Sequence, residues 1–136
     1  MTLFTFTLHG ELFALPGEAV RQVVVPEPVQ GFVMEEDGRF ARHRGDRIAI
    51  VRVPGQTRDA AGVFLRVSMD GSQDGFLGID SAAGLVEVAE DQVLDLPRFL
   101  FEENRPPYSG LFRLGDRIGA LLSAAALTER APGLEC

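Results

Sequence analysis

Two histidines, one cysteine and an aspartate closing an apolar run are the residues of this chain whose types invite catalysis. His9 falls in a turn dipeptide, His9-Gly10. His43 stands between Arg42 and Arg44, cations that disfavour its own protonation. Cys136 is alone, which excludes a disulfide framework and suits a reducing, cytoplasmic setting. No His, Cys, Asp or Glu set has metal-ligand spacing. Neither a G-x-S-x-G elbow nor a phosphate-cradling glycine loop occurs. No catalytic residue, metal or cofactor is therefore assigned. Asp80 reads as a polar residue opening a helical turn rather than as a catalytic carboxylate. A small enzyme or ligand-binding barrel using Asp80 and the arginines around residue 44 is the alternative from another class. The tripeptide Arg44-Gly45-Asp46, known from cell adhesion, reads as a tight turn, with Gly45 free to take positive φ.

Charge narrows the partners. The formal net charge is −7 over 136 residues, which argues against nucleic acid, since phosphate binding needs a positive face. All thirteen basic residues are arginine, so each cationic contact uses a planar fork suited to carboxylates. Arg39, Arg42, Arg44, Arg47, Arg52 and Arg58 cluster directly after Glu35, Glu36 and Asp37. Such a run reads either as a solvated hairpin or as a docking surface for an acidic partner. No apolar run reaches the ~20 residues of a membrane span. The start, MTLFTFTL, lacks a basic n-region and reads as a strand rather than a signal peptide.

The elements that must position these residues are mostly strands. Leu3 to Leu8 alternates apolar residues with Thr, the period of a half-buried strand, and residues 11–15 return after the turn. Residues 16–24 suggest a helical turn, with Val20, Val23 and Val24 on one face. Residues 29–41 read as a loop with short strand content and 47–53 as a β-rich run. Residues 63–69, 76–79 and 85–89 read as strands, 80–84 as a helical turn or bend, and 90–107 as irregular. Residues 124–130 suggest a short closing helix, because Ala and Leu favour helix. Phe99, Leu100 and Phe101 read as core or as an exposed contact.

The chain also repeats itself. Gly-Asp-Arg-Ile occurs at 45–48 and again at 115–118, an offset of 70, each time inside a predicted hairpin. Residues 13–20 match 77–84 in apolar pattern. Two similar small β lobes that pack on each other explain this best. They are expected as one 1–136 domain of two interleaved subdomains, about 1–60 plus the C-terminal segment, and 61–122.

The first hairpin, the Arg-Gly turn before RIAIVRV and the closing GLFRLGDRIGALL together resemble the CheW family of chemotaxis coupling proteins over about residues 3–127. The strongest match is 110–122. The family's N-L-R-G falls on Arg42 to Gly45, keeping Arg-Gly. Its P-[IV]-V-D-L-R falls on Ala49 to Pro54, with Ala49 for Pro and Arg52 for Asp. Its G-L-x-V-D strand falls on FLGID and keeps Asp80. The resemblance implies a mainly β fold of two SH3-like barrels sharing an inter-lobe hydrophobic core, with short helices. It implies a non-catalytic cytoplasmic adaptor that joins chemoreceptor tips to the regulatory domain of a CheA-type histidine kinase, with other CheW-like domains as further partners. The family's partner-binding positions map to Val20, Gln22, Arg44, Gly45 and Val63. Gln22 replaces a Glu, and the acidic run replaces an apolar stretch. Altered or lost receptor binding is expected, the alternative being a conventional receptor–kinase coupler.

Overall fold

The computed structural model describes residues 1–53, 56, 62–69, 73–95 and 108–129. Phe99 to Phe101, Arg58, Cys136 and most of the polar loop 54–62 lie outside the described residues. The strands are β1 (Thr2–Leu8), β2 (Glu11–Pro16), β3 (Val20–Val24), β4 (Phe32–Met34), β5 (Phe40–His43), β6 (Asp46–Arg52) and β7 (Val63–Ser68). They continue as β8 (Asp74–Ile79), β9 (Ser81–Glu87), β10 (Val93–Asp95), β11 (Tyr108–Leu114), β12 (Arg117–Leu122) and β13 (Thr128–Glu129).

These strands make two sheets with one plan. The first runs β10-β11-β12-β2-β1-β9, and the second β4-β5-β6-β8-β7-β3, with β13 on β6. In both, an antiparallel trio joins through one parallel step to a second antiparallel trio. Strands β1–β6 and β7–β12 are therefore two copies of one unit. Each copy gives its first two strands to one lobe and its other four to the other lobe. The repeat in the sequence is a repeat of topology.

Interleaving demands that central strands be apolar on both faces. Phe4, Phe6, Leu8, Leu15 and Leu122 of the first lobe meet Val51, Val53, Leu65, Val67, Leu77 and Ile79 of the second in a shared core. The opposite face of the first sheet buries Leu3, Leu12, Ala14, Val88, Phe112 and Leu121. That of the second buries Val24, Phe32, Ala41, Ile48, Ile50, Phe64 and Phe76. The Phe/Thr alternation of β1 thus hides both faces. Thr5 is fully buried, and its hydroxyl donates to the Gly84 carbonyl at 3.1 Å, which satisfies a group that would otherwise be costly there. Each fully buried Phe or Leu contributes roughly 1.5–3 kcal/mol.

Three helical expectations are corrected. Only Gly17–Ala19 turns as a 3₁₀ helix; Val20–Val24 is strand, paired with β7. Residues 81–84 are strand, not a helical turn or bend: they extend the expected strand at 85 back to Ser81, because β1 pairs with them. After the 3₁₀ turn Ala124–Ala126, Thr128–Glu129 pairs with β6 instead of extending a helix. Helix propensity lost each time to backbone pairing from a distant strand.

Candidate functional site

The two Gly-Asp-Arg-Ile segments open topologically equivalent hairpins in different phases. In β5–β6, His43 pairs with Asp46 across the two-residue turn Arg44-Gly45, at φ 52° and 90°. Two positive φ values in a row define a type I′ turn. In β11–β12, Leu114 pairs with Arg117, so the turn is Gly115-Asp116, and only Gly115 has positive φ, at 65°. Glycine first is the type II′ pattern. The tetrapeptide therefore sits one residue out of register, which flips every side chain. Ile48 is 4% exposed and Ile118 is 69% exposed. The inward pair across β5–β6 is Ala41 with Ile48; across β11–β12 it is Phe112 with Gly119. Large and small have changed places. A Cβ on Gly119 would fall 2.5 Å from the Phe112 ring.

The slip leaves the two hairpins with different outer faces. On β10–β12, Leu94 pairs with Leu111 and Leu111 with Ala120, while Ile118 pairs with Arg113. Directly opposite residues share a face, and Leu94 and Ile118 are both about two-thirds exposed, at 65% and 69%. On β5–β6 the corresponding face carries Arg42 opposite Arg47. Arg47 donates twice to Glu35, Nε to Oε2 at 2.9 Å and Nη2 to Oε1 at 3.0 Å, and Arg42 lies 3.6 Å away. These arginines hold the Glu35 carboxyl below its usual range, first through the Arg47 hydrogen bond and then through charge. The acidic run is thus partly neutralised by the arginines that follow it.

The far end of this hairpin is braced from within. Arg66 on β7 donates from Nε to Asp74 at 2.7 Å and from Nη2 to Asp46 at 3.1 Å, and its Nη1 lies 3.0 Å from His43 Nδ1. Arg21 binds the other oxygen of Asp74 at 2.8 Å. His43 is 1% exposed and stands edge-on to Phe76 at 5.6 Å. Burial first, then the charges of Arg66 and Arg44, push its pKa down. The neutral ring leaves Nδ1 free to accept from Arg66. Of the two arginines that flank His43 in sequence, Arg44 acts in this downward direction. Arg66 itself was missed; its one sequence signal is a lone arginine within an apolar strand.

The five expected partner-binding positions do not form one patch. Gln22 on β3 is exposed and is the register neighbour of Arg66. Arg44 and Gly45 form the exposed turn joined to that network through His43 and Asp46. The Arg44 amide donates to the Gly31 carbonyl at 3.1 Å, and no carboxylate pairs with its guanidinium among the described residues. Val20 and Val63 are half-buried against the inter-lobe core, near opposite ends of the β3–β7 pair. Asp80 is exposed; its amide donates to Thr7 and its carboxylate accepts from the Gly10 amide at 3.3 Å. A cavity of about 800 Å³ beside β6 is lined by Arg47, Arg66, Asp46 and Asp74 among others, and not by Asp80. The described residues include no cluster of three or more His, Cys, Asp or Glu side chains placed to hold a metal. No helix among them is long and apolar enough to cross a membrane.

Comparison with known proteins agrees with this architecture. No curated protein matches the sequence. Among solved structures, the scaffolding protein TtCheW from Thermoanaerobacter tengcongensis superposes with a TM-score of 0.65 over 88% of this chain and 82% of that chain, at 15% identity. That likeness establishes the fold, two CheW-type β lobes on one shared core. The CheW-like domain matches residues 2–131, almost the full sequence, and the chain belongs to the CheW-like domain family.

Proposed function

We propose that this chain is a non-catalytic adaptor of a bacterial chemosensory system that binds the regulatory domain of a CheA-type histidine kinase in the cytoplasm. Family membership supports the adaptor role. The observation that carries the kinase contact is the outward apolar face of β10–β12. Leu94 and Ile118 are both about two-thirds exposed there, an apolar pair that a partner surface would cover. Apolar contacts would give area and the neighbouring Arg113 would set register. Other CheW-like domains are candidates for the same face.

Receptor binding is proposed to be altered or lost. Gln22 supplies no carboxylate where the family has one, and the Arg44 guanidinium has no carboxylate partner among the described residues. The test mixes the purified chain separately with a kinase regulatory domain and with a receptor-tip fragment, and measures both affinities by calorimetry. Kinase binding with receptor binding at least about tenfold weaker supports the proposal. Equal binding to both means a conventional coupler, and binding to neither overturns the adaptor reading.

A further inference from the structure

The β5–β6 hairpin carries more arginine than its fold requires, and one carboxylate already sits on it. Arg42 and Arg47 lie opposite each other, and both side chains are more than half exposed. The Arg47 guanidinium lies over the Phe40 ring, 3.8 Å from its centroid, a cation–π contact that restrains the fork. Stacking and a planar fork are what bidentate carboxylate recognition needs. Glu35 shows that geometry, held by both arms of Arg47 with Arg42 alongside. Its backbone is fixed separately: the Glu35 amide donates to the Phe40 carbonyl at 3.0 Å, and Gly38 closes the turn onto Glu35. Only a side-chain rotation would therefore vacate the clamp. Beside it opens the 800 Å³ cavity, whose wall joins the apolar Phe40, Ala49, Met69 and Leu127 to the charged Arg66, Asp46 and Asp74, which are already paired with one another.

We propose that Arg42 and Arg47 form a docking clamp for an acidic, partly apolar peptide segment of a partner protein, and that Glu35 occupies this clamp as an internal competitor in the free chain. The proposal rests on the adaptor reading only in taking the partner to be a protein. Charge complementarity selects the occupant: a partner carboxylate would replace Glu35 on the Arg47 fork while apolar side chains enter the cavity. A second anion class, phosphate on nucleic acid or lipid, fits less well with a chain of net charge −7. Surface ion pairs are weak and salt-screened, so Glu35 sets a modest threshold rather than a block. It also favours partners that present a bidentate carboxylate over those with diffuse negative charge.

The experiment uses a fluorescein-labelled peptide of alternating glutamate and valine, read by fluorescence anisotropy at low salt against the full chain. Glu35→Gln should tighten binding about threefold relative to wild type. The double variant Glu35→Gln, Arg47→Ala should lose that gain. Glu36→Gln removes the same charge from an exposed residue outside the clamp, and should tighten binding by less than Glu35→Gln. The inference is overturned if Glu35→Gln binds no better than Glu36→Gln, if the gain survives without Arg47, or if the peptide binds none of the variants. Loss of kinase binding in the separate adaptor test, with the Glu35 effect intact, would overturn the adaptor reading alone.

Discussion

Two hairpins of this chain share four identical residues, occupy the same place in the two lobes, and present opposite faces of those residues. In β5–β6 the isoleucine of Gly-Asp-Arg-Ile is core; in β11–β12 it is surface. The cause is local: a type I′ turn uses Arg44-Gly45, a type II′ turn uses Gly115-Asp116, and the phase moves by one. The consequence is a difference in surface. One hairpin turns arginines outward, the other an isoleucine. A duplicated scaffold has thereby acquired two unlike surfaces, while each interior still receives one large and one small residue at the same inward pair.

The largest expected effect tests that phase directly. Ile48→Asp should destabilise the fold by roughly 4 kcal/mol or more, because it buries a charge among Phe32, Phe64 and Phe76. Ile118→Asp should change stability by less than about 0.5 kcal/mol. Urea unfolding of both variants would show it, and similar losses would mean the two hairpins are in phase. Next in size, Phe112→Ala should cost about 3–5 kcal/mol as a core truncation. Gly119→Ala should cost about 1–3 kcal/mol, since the added methyl would strike the Phe112 ring and Leu12.

A smaller effect separates the lobes by pH. The unfolded chain protonates His43 near its ordinary value of 6.5, whereas the folded pKa lies lower. The stability that neutral His43 contributes is thus full above pH 6.5. It is lost as pH falls from there through the depressed folded value, with a slope of at most about 1.4 kcal/mol per pH unit for one proton. The variant His43→Gln should flatten the stability profile just below pH 6.5; an unchanged slope would remove His43 as its source. Smallest of all, Arg44→Ala should leave the melting temperature nearly unmoved, because its guanidinium holds no ion pair among the described residues. A large loss would make Arg44 structural.

Much of this was legible before any coordinates. Alternating Phe and Thr announced β1, and the repeated tetrapeptide announced two related hairpins. Its alignment was not legible: an offset of 70 matches letters, whereas the inward pairs match at 71, Ile48 with Gly119. Turn type decides the phase, and both turns read as Gly-Asp. The first half of β9 was hidden because Ala82, Ala83 and Gly84 favour helix or bend, whereas its second half lies in the run 85–89 that reads as strand. Its ladder with β1 carries a register shift between Thr5 and Phe6, beside the positive-φ Gly84. The Arg66 hub was hidden for a different reason. Its partners His43, Asp46 and Asp74 come from three other strands, and only the folded sheet brings them within hydrogen-bonding distance. Val20 and Val63, partner-binding positions by resemblance, are partly buried and pack against the shared core, a contact that only the fold reveals.

The most direct measurement compares Ile118→Asp with wild type for binding to the kinase regulatory domain, with melting temperatures taken in parallel. The account predicts affinity reduced about tenfold or more with an unchanged melting temperature. Undiminished kinase binding by a folded Ile118→Asp variant would contradict it.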